Sequence, residues 1–153
     1  MLLSFLRTCV TWSLVALLTF LAGCAGPTIK VAPTYSAAQV TQIQRDLPAV
    51  LKAQVRLTEL AEAIEAQEWQ DAIDVIHGPF GDLRERLSRV TRSLLAEDQK
   101  ETVATSRALL DDLELVDAAA HDKNQPLALK AYDAAVRDFQ TFLEKLPAAV
   151  RPA

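Results

Sequence analysis

The stretch EWQDAIDVIHGPFGDLRERLSRVTRSLL, residues 68–95, decides the fold because its apolar side chains recur at alternating intervals of four and three residues. The apolar stripe consists of Trp69, Ile73, Ile76, Phe80, Leu83, Leu87, Val90 and Leu94. This spacing is typical of a helix that packs along its length at about 20° to its neighbours. Gly78, Pro79 and Gly81 interrupt the stretch, yet the stripe keeps its phase on both sides of them. We therefore predict one helix that bends here rather than ending.

A first helix is predicted upstream of this stretch, from about Ser36 to Ala66. Its apolar side chains recur every seven residues at Ile43, Val50, Leu57 and Ile64. Ser36 is a suitable N-cap residue because its hydroxyl can accept a hydrogen bond from the first turn. Pro48 predicts either a kink or a helix that begins properly at Leu47.

Two further helices are predicted downstream. Asp98, followed by Glu101 three residues later, indicates the start of a third helix through a variant of the capping box. The run HDKNQP at 121–126 ends that helix, and Pro126 suits the first turn of a fourth, which stops at Pro147. The apolar face expected for the third helix is Val103, Leu109, Leu110, Leu113 and Val116. The apolar face expected for the fourth is Tyr132, Ala135, Phe139, Phe142 and Leu146.

Four amphipathic helices with short connections predict an all-α fold, an up-down-up-down four-helix bundle over residues 36–153. The composition agrees with this class, since half of the residues are hydrophobic and only 6% are aromatic. The formal net charge of −4 argues against a nucleic-acid partner, because no excess of positive charge is available to neutralise phosphates.

The first residues have the layout of a secretory signal peptide over 1–23. The apolar run from Val10 to Ala22 has 13 residues, fewer than the roughly 20 that span a bilayer. Leu21-Ala22-Gly23-Cys24 resembles the bacterial lipobox, in which the Cys thiol receives diacylglycerol and the peptide is cut just before it. We expect lipid on Cys24 and a lipidated tether over 24–35. The alternative is an ordinary signal peptide that happens to include a Cys.

No motif of covalent or nucleotide chemistry appears in the sequence, and we predict that the protein is not an enzyme. Asp117 and His121 lie four residues apart and could together hold a divalent ion such as zinc, although two ligands make a weak site. The alternative is a solvated helix end where His121 favours the helix dipole. His77 is expected to bond a backbone carbonyl freed by the helix break, with a partner contact or a metal as alternatives.

The second predicted helix is rich in arginine. Asp82–Arg86 and Glu85–Arg89 have the spacing of ion pairs within one helix. The alternative is a basic docking face for an acidic partner. The candidate docking residues are His77, Gly78, Pro79, Gly81, Arg84, Arg89 and Arg92. Tyr35, just before the first helix, could cover the end of the bundle or remain exposed for a partner.

The order of these segments resembles the cyanobacterial branch of the PsbQ family, also called CyanoQ. The resemblance rests on the lipobox LAGC, the Pro-containing tether with Tyr35, and the segment EWQDAIDVIHGPFGDLRERL. It continues through LLAEDQKETVATSRALLDDLELVDAAAHDK and ALKAYDAAVRDFQTFLEKLP. It covers essentially the whole chain, and the order and spacing of the segments are more specific than any one of them.

This resemblance implies a non-catalytic, lipid-anchored extrinsic subunit of photosystem II on the lumenal side of the thylakoid membrane. Its implied partners are the photosystem II core and other lumenal extrinsic subunits. Its implied role is to stabilise the oxygen-evolving complex and support water oxidation, above all when calcium or chloride is scarce. Family members can bind zinc, but those ligands do not transfer to His77 or His121. From the residues alone, an alternative function remains open: a generic bacterial periplasmic lipoprotein bundle that acts as an assembly factor or spacer.

Overall fold

The computed structural model describes residues 34–148 and 150–151. Within these residues the regular structure is entirely helical. The helices are α1 (Ala37–Glu65), α2 (Trp69–His77), α3 (Leu83–Arg92), α4 (Ala96–His121) and α5 (Gln125–Glu144). The predicted signal peptide, Cys24 and most of the predicted tether lie outside the described residues. None of the helices described is long and apolar enough to cross a membrane.

The predicted second helix is two helices, so the prediction of a single bent helix was wrong. The described residues form five helices where four were expected. Residues 78–82 form a turn. At the end of α2, the Gly78 amide donates to the Asp74 carbonyl oxygen at 2.8 Å. Pro79 has no amide hydrogen to continue the helical ladder. The Phe80 amide then reaches back five residues to the Val75 carbonyl oxygen, at 3.4 Å. The helical pattern therefore ends at His77 and begins again at Leu83.

The apolar stripe nevertheless faces inward on both sides of the turn. Phe80 and the stripe residues of α3 are buried, while Trp69, Ile73 and Ile76 of α2 are half-buried against the same core. Helix α1 packs against α2, α3 and α5, and α4 packs against the same three helices. The largest fully buried side chains are Phe139, Phe142, Ile43, Leu60 and Ile64. One hydrophobic core thus joins all five helices.

The start of α1 agrees with the sequence. The Ser36 hydroxyl accepts from the Gln39 amide at 3.2 Å, and the Gln39 side chain accepts from the Ser36 amide at 3.0 Å, which together form a capping box. The prediction of Ser36 as N-cap is confirmed. The helix continues through Pro48, so the alternative start at Leu47 was wrong.

Helix α4 begins earlier than predicted, at Ala96, and the expected capping box of Asp98 and Glu101 does not form. Asp98 is already inside the first turn, where its carboxylate accepts from the Tyr35 hydroxyl. Helix α5 has Asn124 as its N-cap, whose side chain accepts from the Leu127 amide at 3.2 Å. Pro126 lies in the first turn of α5, as predicted.

Tyr35 ties the start of the described chain to the junction between α3 and α4. Besides donating to Asp98, its hydroxyl accepts from the Leu95 amide at 3.2 Å. The Gln39 side chain adds a bond of 3.4 Å to the Ser93 carbonyl oxygen. Of the two roles considered for Tyr35, the structure shows the one in which it covers an end of the helical domain.

The Tyr35 contact predicts a loss of stability in alkali. Burial raises the pKa of Tyr35 from the usual 10.0 to about 12, and the bond to Asp98 acts in the same direction. Because the folded state holds the phenol proton more tightly, the contact stabilises the fold fully below pH 10 and progressively less towards pH 12. Tyr35→Phe is expected to remove this part of the pH dependence, measured by urea unfolding across that range.

Tyrosinate absorbance provides the control for this prediction. Tyr132 is the other tyrosine, and burial also raises its pKa. In Tyr132→Phe the remaining signal belongs to Tyr35 alone. Titration of that signal with an ordinary tyrosine pKa would contradict the proposed anchoring role.

Candidate functional site

Six of the seven predicted docking residues, all but Arg89, line two separate surfaces. The first, which we call the turn surface, is an open depression of about 540 Å³ between α1 and the turn at 78–82. It is lined by Ala49, Lys52, Ala53, Arg56, His77, Gly78, Pro79, Gly81, Asp82 and Arg86. Arg86 Nε donates to Asp82 Oδ1 at 2.6 Å, and this bond holds the pKa of Asp82 below its usual range. The predicted pair Asp82–Arg86 is confirmed, and it neutralises part of the turn surface.

The glycines of the turn surface are required by close backbone approach. A Cβ atom on Gly81 would lie 2.6 Å from the His77 carbonyl oxygen, and one on Gly78 would lie 2.8 Å from the Asp74 carbonyl oxygen. Both distances are far below van der Waals contact, and both neighbours are backbone atoms. The turn can therefore form in this shape only without side chains at these positions.

Gly81→Ala is expected to lower the free energy of unfolding by about 1–3 kcal/mol, because the turn must shift to admit the methyl group. The measurement is urea unfolding followed by circular dichroism. Pro79→Ala is the matched control in the same turn, and it should leave a folded domain with a change of about 1 kcal/mol or less. Equal stability of Gly81→Ala and wild type would contradict the steric role of Gly81.

His77 does not bond a freed backbone carbonyl, so that expectation was wrong. Its Nε2 lies 3.1 Å from Asp117 Oδ1 on α4, while the Nδ1 of His121 lies 2.9 Å from the Asp117 carbonyl oxygen and 3.7 Å from Oδ2. Two imidazoles thus flank one carboxylate, and the contact of His77 connects α2 to α4. No group of three or more His, Cys, Asp or Glu side chains among the described residues is arranged to hold a metal ion. The divalent site considered for Asp117 and His121 stays a prediction.

Arg89 faces a different way from Arg84 and Arg92. Its Nη1 lies 2.6 Å from Glu85 Oε1, which confirms the predicted pair, and its Nε lies 3.8 Å from Asp46 on α1. Its charge is therefore matched by two carboxylates. Arg84 and Arg92 instead line the second surface, between α3 and α4.

This second surface, which we call the α3–α4 groove, has a volume of about 320 Å³. It is lined by Arg84, Leu87, Ser88, Thr91, Arg92, Gln99, Val103, Ser106, Arg107 and Leu110. An adjoining depression shares Gln99, Val103 and Arg107 and adds Ala96, Lys100 and Ala104. Val103 and Leu110, expected in the core, are only half-buried and line this groove. Sequence reasoning missed Lys100 and Arg107, although their spacing of seven residues places them on one face of α4.

The fold and these surfaces define the described part of the chain as an all-helical domain with charged depressions at its surface. The chain belongs to the PsbQ family: the family model described as oxygen evolving enhancer protein 3 matches residues 27–147. The chain is also similar to CyanoQ of Synechocystis sp., with 33% identity over 148 residues, covering 96% of this chain and 99% of that protein. The family resemblance seen in the sequence is confirmed.

Proposed function

We propose that this chain is an extrinsic subunit of photosystem II, held by lipid on Cys24 at the lumenal side of a cyanobacterial thylakoid membrane. There it stabilises the oxygen-evolving complex and supports water oxidation without catalysing a reaction. The observation that supports this proposal is the family match over residues 27–147, together with a relative of nearly equal length. The lipobox at 21–24 supports the anchored, bacterial form.

The surfaces described above fit a docking role. The charged groups lie in open depressions, and Gly78 and Gly81 of the turn surface are exposed. Arginine is enriched in protein–protein interfaces, and both surfaces contain it.

The experiment is to tag the C-terminus in the cyanobacterial host, solubilise the membranes in mild detergent and identify the proteins that co-purify. We expect photosystem II core subunits and other lumenal extrinsic subunits. A tagged lipoprotein of unrelated fold, expressed in parallel, controls for adhesion to membranes. Recovery of envelope proteins without core subunits would contradict the proposal and support the alternative, an assembly factor or spacer of the periplasm.

A further inference from the structure

The α3–α4 groove is positively charged, whereas the protein as a whole is acidic. The groove and its adjoining depression are lined by Arg84, Arg92, Lys100 and Arg107, and no Asp or Glu is among the described residues that line them. The whole chain has a formal net charge of −4. Four cations without a carboxylate in the lining therefore form a local positive field on an acidic protein, and such a field attracts acidic groups.

Small side chains create the groove. Ser88, Thr91 and Ser106 line it where α3 meets α4, and Thr91 and Ser106 are buried. The Thr91 hydroxyl donates to the Leu87 carbonyl oxygen at 2.8 Å, and the Ser106 hydroxyl donates to the Thr102 carbonyl oxygen at 2.7 Å. Because the Thr91 and Ser106 hydroxyl hydrogens are used within their own helices, the charged side chains and the Ser88 hydroxyl, which accepts from Arg92, are the donors available to a ligand.

The cations differ in how far they are already paired. Arg84 Nη2 lies 2.9 Å from Glu114 Oε1, but both side chains are about two-thirds exposed, so this pair is easily exchanged for another. Arg92 donates to the neutral Ser88 hydroxyl. Arg107 is exposed, and no ion pair of it occurs among the described residues. Arg92 and Arg107 therefore offer the charges that a ligand can engage without breaking an existing pair.

The groove also has an apolar floor. Leu87 is fully buried beneath it, and Val103 and Leu110 are half-exposed within it. A free carboxylate ion would leave this apolar surface in contact with water. A chain segment that combines acidic side chains with an apolar one would cover the floor and reach the rim at the same time.

We propose that the α3–α4 groove binds an acidic segment of a partner protein, with an apolar side chain of that segment seated over Val103 and Leu110. This inference rests on the proposed function, in which the partner belongs to photosystem II. A concave site suits a protruding chain segment, whereas a flat layer of lipid headgroups would meet its rim and leave the floor uncovered. The opposite charges of groove and segment steer the encounter and fix its register.

The test is the double variant Arg92→Glu with Arg107→Glu in the full chain, expressed in the host. The matched control is Arg45→Glu with Lys130→Glu, which reverses two exposed charges on α1 and α5, outside the lining of the groove. Photosystem II particles are purified in detergent, and the ratio of this protein to core subunits is measured. Detergent removes the bilayer, so retention in the particles reports contact with protein.

We expect the groove variant to be retained at least about tenfold less than wild type, because reversal turns attraction into repulsion at two points. The control pair should be retained as wild type is. Wild type should also be released by rising salt concentration, since the contact is made by exposed charges. Circular dichroism and thermal unfolding establish that each variant is folded, and Arg107→Gln provides a milder loss of one charge.

Each result decides the inference. Equal retention of the groove variant and wild type would overturn it, and this is also the result expected if the groove served a lipid surface. If the control pair lost retention as much as the groove variant does, the inference would be overturned, because the net charge of the protein alone would then explain the loss. Absence of wild type itself from the particles would overturn both the inference and the proposed function, so the two failures are distinguishable.

Discussion

Phe139→Ala is expected to lower the free energy of unfolding by about 3–5 kcal/mol, the range measured when a large core aromatic is truncated. Phe139 lies on α5 with an exposed fraction of 0%, beside Phe142, which is equally buried. Helix α5 packs against both long helices, α1 and α4. Removal of the ring therefore leaves a cavity in the shared hydrophobic core, and the rigid helices can close it only in part.

The measurement for Phe139→Ala is urea unfolding of the domain followed by circular dichroism. Val55→Ala is a suitable control, because Val55 on α1 is 69% exposed and its truncation should change the free energy by less than about 0.5 kcal/mol. A loss below about 1 kcal/mol for Phe139→Ala would contradict the packing described here. Small domains of this kind are stable by about 5–15 kcal/mol, so the expected loss is a large part of the total.

The helical class and most of the core followed from periodicity. The stripe from Trp69 to Leu94 predicted the inward face of two helices even though it was assigned to one. Periodicity reports which side of the chain is buried, and a short turn that restores the phase leaves that signal unchanged. The turn at 78–82 restores it, since Phe80 and Leu83 are both buried. The apolar pattern therefore could not predict the number of helices.

The end of α1 was predicted at about Ala66 and lies at Glu65, although no glycine or proline marks the junction with α2. The Gln67 backbone is in the left-handed region, with φ of 59°, a conformation that glycine usually supplies. The Glu68 amide bonds to the Ala63 carbonyl oxygen at 2.9 Å, which ends α1 in a Schellman motif. Lys123 ends α4 in the same way, with φ of 55°. Neither end contains the glycine that would have indicated it.

The candidate surfaces were only partly visible in the sequence. The spacing predicted the arginine ion pairs that are local in sequence, but not the contacts that arginines make with other helices. Asp46 on α1 engages Arg89, whereas Arg107 on α4 joins Arg84 and Arg92 in the α3–α4 groove and Lys100 lines the adjoining depression. The contact between His77 and Asp117 likewise joins residues 40 positions apart. Such groupings depend on which helices are neighbours, and helical periodicity alone does not specify that.

Cys24→Ala is expected to abolish attachment of fatty acid and to move most of the protein from the membrane fraction to the soluble fraction. The reason lies in the sequence, since Cys24 has the only thiol of the LAGC box and the preceding apolar run of 13 residues is too short to span a bilayer. Each buried CH₂ of an acyl chain contributes about 0.8 kcal/mol to membrane binding, and stable anchoring needs more than one chain.

Two measurements check the Cys24 prediction: incorporation of labelled fatty acid, and sedimentation of membranes after a high-salt wash that weakens contacts between exposed charges. Cys9→Ala is the matched control, because Cys9 belongs to the predicted signal peptide and its loss should change neither result. If the wild-type protein incorporated no labelled fatty acid, lipidation of Cys24 itself would be contradicted. Loss of label with unchanged sedimentation would show that protein contacts suffice to hold the domain at the membrane. The two results together therefore separate the contribution of the acyl chains from that of docking.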